Sequence, residues 1–77
     1  MSKYYEVDLG KTREYDYTKG DTVTIAVTSD TYPKANEIEN FLEKTNSRFS
    51  KLKVCNICEI FAMNEVIPFV EEIITLA

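Results

Sequence analysis

The sequence has no histidine and no tryptophan. Histidine is the side chain that most often serves as a general base near neutral pH and as a nitrogen ligand for metals. Its absence argues against the commonest hydrolytic and metal-assisted chemistries. A serine or cysteine nucleophile would need another base, and neither a Gly-rich phosphate loop nor a G-x-S-x-G turn offers a different catalytic frame. The expectation is a protein that is not an enzyme and uses no cofactor. Glycine and proline are sparse, two of each, which leaves little material for long loops over an active site and predicts that most of the chain is regular. No stretch approaches the roughly 18 apolar residues of a membrane span, and the N-terminus has no apolar segment of signal-peptide length. The expected location is the cytoplasm, where the two cysteines stay reduced.

What is present describes a chain that folds. Its 77 residues, 44% hydrophobic and 29% charged, have a globular composition and suffice for one domain over 1–77. Domains this small often lean on a metal, a disulfide or a partner subunit, so a homodimer is a natural possibility. Thirteen acidic residues against nine basic ones give a net charge of −4, which opposes direct contact with nucleic-acid phosphates or anionic membranes and suits a protein partner with a basic surface. The acidity is uneven: residues 1–30 carry four basic and six acidic groups, 31–63 five and four, and 64–77 none and three.

Hydrophobic periodicity predicts a small α+β fold. Over residues 3–9, Tyr5, Val7 and Leu9 alternate with Tyr4, Glu6 and Asp8, which is the pattern of a half-buried strand. Gly10, Lys11 and Thr12 supply a turn, and residues 13–17 repeat the alternation as a short second strand, ended by Lys19, Gly20 and Asp21. Residues 22–28 form the clearest strand, with Val23, Ile25 and Val27 on one face and β-branched residues dominant. Short turns between successive strands favour an antiparallel three-stranded meander. A helix is expected over 33–47, opened by Pro33 at its first position, with Ala35, Ile38, Phe41, Leu42 and Thr45 at helical spacing and Asn46 and Ser47 closing it. A fourth strand falls near 52–61 and reads as buried on both sides. Asn64 as a cap and Pro68 in a first turn point to a short C-terminal helix over 64–77; the rival is a strand over 69–76.

The richest local feature is an N-terminal cluster of tyrosines and acids. Four of the five tyrosines lie in the first seventeen residues, interleaved with carboxylates. Tyrosine joins apolar contact area to a polar tip, and neighbouring acids pair with Arg or Lys on a partner. Tyr4, Glu6, Asp8, Glu14, Tyr15, Asp16 and Tyr17 are therefore expected to bind a protein partner, together with Glu71 and Glu72 of the acidic C-terminal segment. The plainer reading is that Tyr5, Tyr15 and Tyr17 pack the sheet against the helix, with Tyr4 the most exposed.

Cys55 and Cys58 form a C-x-x-C pair, a spacing that holds a metal with two thiolates or runs thiol-disulfide exchange. The alternative to partner binding is thus a metal-binding or redox module, with the missing ligands supplied by carboxylates or by a second copy of the chain. The plainer reading buries both as small apolar side chains. Arg48, Lys51 and Lys53 read as a solvated connector, and Glu37, Glu39 and Glu43 as a solvated helical face.

No stretch carries a family motif. In size, acidity and mix of strand and helix, the chain resembles the small inhibitors that bacteriophages encode against host nucleic-acid enzymes, such as anti-CRISPR proteins and DNA-mimicking repair inhibitors. That compositional resemblance implies a protein that occupies a basic groove on a host complex and blocks what binds there.

Overall fold

The computed structural model describes residues 3–12, 22–61 and 70–76. Its elements in chain order are β1 (Lys3–Gly10), β2 (Val23–Ser29), α1 (Ala35–Lys44), β3 (Lys53–Ile60) and β4 (Ile73–Thr75). The four strands make one sheet in the order β3-β1-β2-β4. β1 pairs antiparallel with both β2 and β3, whereas β4 joins the free side of β2 in parallel. The fold is a small α+β one: a mixed, mostly antiparallel sheet packed against one main helix.

Strand alternation decides what is buried. Tyr5, Val7 and Leu9 of β1 stand opposite Val27, Ile25 and Val23 of β2, so the apolar side chains of both strands point the same way. Onto this inner face α1 lays Ile38 and Leu42, one helical turn apart, and the core is completed by Phe49, Val54 and Ile74. Burial of each such side chain contributes about 1.5–3 kcal/mol, which drives the association of sheet and helix.

The helix begins two residues later than its proline suggests. Pro33 is buried, Lys34 takes the N-cap position in an extended conformation, and no side chain caps the first turn. At the other end Asn46 adopts φ 56°, the Ser47 amide donates to the Leu42 carbonyl at 2.9 Å, and the Asn46 amide donates to Glu43 at 3.1 Å. This pair of bonds is the Schellman closure; it ends the helix at Lys44, short of the expected bound at 47, through the Asn46 and Ser47 that the sequence marks as its stop.

Two expectations are corrected. The C-terminal helix is replaced by strand over the described residues: the Glu71 amide donates to the Thr24 carbonyl at 2.8 Å, the Ala26 amide to Glu72 at 2.9 Å and the Leu76 amide to Thr28 at 2.9 Å. The side of β2 away from β1 offers backbone groups that need partners, and the β-branched Ile73, Ile74 and Thr75 satisfy them while Ile74 drops into the core. Asn64 and Pro68 lie outside the described residues, as does the second strand expected over 13–17. The strand near 52–61 is present as β3, but among the described residues it is an edge strand and is not buried on both sides, with Val54 its one buried residue.

β3 also carries an irregularity. Asp8 stands opposite Asn56 and Leu9 opposite Val54, so Cys55 is an extra residue that bulges from the ladder. A bulge shifts the alternation by one. It turns Val54 and Ile57, three residues apart, to the same inner face opposite Leu9 and Val7.

Candidate interaction face

The register fixes the outer face of the sheet row by row, because cross-strand partners share a face. One row runs Ile60, Tyr4, Thr28, Thr75; the next runs Cys58, Glu6, Ala26, Ile73; a third holds Asn56, Asp8 and Thr24. Among the described residues four large hydrophobic side chains are exposed and two of them sit here, Tyr4 at 41% and Ile73 at 51%, with Ile60 half-buried beside Tyr4. Glu6 and Asp8 are the charged side chains of these rows, and no lysine or arginine belongs to them. A fourth row sets the exposed Lys53 opposite Gly10, so the face has an aromatic and aliphatic end, an acidic middle and a cation at its far end.

The two carboxylates have different roles. Asp8 is only 5% exposed; one of its oxygens accepts the Thr24 hydroxyl at 2.8 Å and the other accepts the Asn56 amide at 3.4 Å. It is committed to linking β1 with β2 and β3. Glu6 is half-buried, with Tyr4 on one side along the strand and Cys58 opposite, and its carboxylate is available to a basic group that approaches the face.

Of the other residues expected to bind a partner, Glu14, Tyr15, Asp16 and Tyr17 lie outside the described residues. Glu71 stands at the β4 edge, 3.9 Å from the guanidinium of Arg48, which also donates to the Glu71 carbonyl at 3.2 Å. Arg48 is thus more than a solvated connector residue: it ties the turn after α1 to β4 and lies 4.6 Å from the centre of the Phe49 ring. Glu72 accepts the Ala26 amide through its backbone and is half-buried, and its Oε2 has no hydrogen-bond partner among the described residues.

The cysteines do not occupy the buried sites of the plainer reading. Cys58 is exposed and belongs to the outer face beside Glu6, while Cys55 is half-buried in the bulge, its thiol donating to the Thr12 carbonyl at 3.0 Å. No disulfide joins them. Residues three apart in a strand are separated by about 10 Å along the chain, beyond the ~7 Å at which Cα atoms can be bridged. Among the described residues no three of Cys, Asp and Glu stand close enough to share a metal ion.

Sequence reasoning missed Ile60, Cys58 and Ile73 as neighbours of Tyr4 and Glu6. Their placement depends on the bulge and on the parallel pairing of β4, and neither leaves a local pattern. No family model, curated protein or solved structure matches the chain.

Proposed function

We propose that this protein is a non-enzymatic binding module that seats the outer face of its sheet on a basic protein surface. The observation that carries the reading is the composition of that face: Tyr4, Ile60 and Ile73 surround Glu6, and Lys53 stands two rows away opposite Gly10. Aromatic and aliphatic anchors supply contact area, and a carboxylate selects a partner that brings Arg or Lys. The net charge of −4 steers the same kind of partner. A basic groove covered in this way is closed to the nucleic acid it would otherwise hold, so the proposed consequence of binding is inhibition. Two cysteines without a disulfide suit action in a reducing compartment, and no helix among the described residues is long and apolar enough to cross a membrane.

An arginine-rich peptide containing one aromatic residue is a direct probe. In an amide and methyl NMR titration, shifts are expected to concentrate on Tyr4, Glu6, Ile60 and Ile73. Tyr4→Ala and Glu6→Lys should each weaken the complex about tenfold, with unchanged melting temperature. Shifts that follow every carboxylate equally, or an affinity indifferent to both substitutions, would overturn the assignment of the face.

A further inference from the structure

A second surface lies on the far side of the molecule, where α1 and the residue after β4 enclose a shallow groove. It is lined by Glu37, Asn40, Phe41, Glu43, Lys44 and Leu76. Phe41 and Leu76 are half-buried and form the floor, resting on the core. Glu37, Asn40, Phe41 and Lys44 fall at helical spacings of three, four and seven, which puts them on one flank of α1. Ile38 and Leu42 face the sheet instead.

The charges on this flank are arranged as a dipole. Glu37 lies in the first turn and Lys44 in the last, about 10 Å apart along the axis. Both are exposed, and among the described residues neither has an ion-pair partner. The pattern is its own complement. When a second helix of the same sequence is laid antiparallel across the stripe, Glu37 meets Lys44, Lys44 meets Glu37, and each Phe41 falls beside the other copy's Asn40. A two-fold interface requires this reciprocity, in which residue i meets j and j meets i.

We infer that this groove is the contact between two copies of the chain, joined through antiparallel α1 helices. The two charge pairs fix the register, and the apolar floors of Phe41 and Leu76 cover one another. A seam of about two helical turns buries less than the roughly 1,200–2,000 Å² of a standard interface, so the dimer is weak and forms at high protein concentration. The inference is independent of the proposed partner face, which lies on the other side of the sheet.

Sedimentation velocity on the full chain, over a concentration series reaching the millimolar range, tests it. The apparent mass should climb from 8.9 kDa toward twice that value. Lys44→Glu and Glu37→Lys each place like charges together at two symmetry-related points, and each should weaken the dimer about tenfold. The double variant Glu37→Lys with Lys44→Glu restores opposite charges across the seam, and should recover the affinity of the parent chain. Both positions are exposed, so melting followed by circular dichroism should confirm that every variant folds. A chain that stays monomeric throughout, a dimer indifferent to the single reversals, or a double variant as weak as the single ones would each overturn the inference.

Discussion

Asp8 shows how far a residue's role can depart from its place in a pattern. By alternation it belongs with Tyr4 and Glu6 on a wet face, yet it is buried and holds Thr24 and Asn56. Replacing it with Ala leaves a hydroxyl and an amide without their acceptor, and should cost about 1–3 kcal/mol of unfolding free energy, read from urea denaturation. Asp8→Asn is expected to retain only part of that stability, because its amide group turns a second donor toward Asn56. Asn46 makes a similar point at the helix end. A left-handed conformation costs most L-residues about 1–2 kcal/mol, a strain that Asn tolerates, so Asn46→Ala should lower stability by about 1 kcal/mol while Asn46→Gly should not lower it. The same urea titration distinguishes the two substitutions.

At the level of elements, strands with clean alternation and the helix with three- and four-residue spacing were legible in the sequence. Val7 and Leu9, Ile25 and Val27, and Ile38 and Leu42 all face the core as their periodicity requires. β3 was legible as a strand but not in its facing. Simple alternation groups Val54 with Cys58 and Ile60, whereas the bulge at Cys55 separates them. The decision rests on a fit between two strands and is not encoded in either one. The bulge also helps guard an exposed edge, a place where strands from other molecules add. Along that edge the Glu39 carboxylate accepts the Val54 amide at 2.9 Å, and the Tyr32 hydroxyl donates to the Ile57 carbonyl at 3.3 Å while its ring meets Tyr5 edge-on at 5.5 Å. Glu39→Ala should therefore speed hydrogen exchange at the Val54 amide at least severalfold, with a loss of about 1 kcal/mol in stability; an unchanged exchange rate would show that the edge is held in some other way. Gly10 is constrained by the same bulge, since a Cβ there would stand 3.0 Å from the Cys55 sulfur.

At the scale of the whole molecule, β4 was the least legible element. Three residues are too few to carry a periodic signal, and what makes them a strand is the open side of β2 far back in the sequence. Ile73 and Ile74 then divide the labour between the two faces of the sheet. Ile74→Ala should cost about 2–4 kcal/mol because it opens the core, whereas Ile73→Ala should leave the melting temperature nearly unchanged and weaken the arginine-rich peptide. The candidate face was half legible for the same reason: Tyr4 and Glu6 could be read from β1 alone, but the neighbours that make a surface of them come from both ends of the sheet. With α1 paired across a two-fold axis, the two outer faces point away from each other, so a partner with repeated basic sites gains avidity from simultaneous engagement.

The parallel pairing of β2 with β4 also sets a schedule for synthesis. A hairpin closes in roughly 1–10 μs, so β1 and β2 can meet as soon as both are available, but Ile73 follows Ala26 by more than half the chain. At a ribosomal rate of about 5–20 residues per second, the far side of β2 waits on the order of seconds for its partner. During that interval a strand of alternating valine and isoleucine has one unguarded side, which makes a nascent chain stalled before β4 the form of this protein most prone to aggregate.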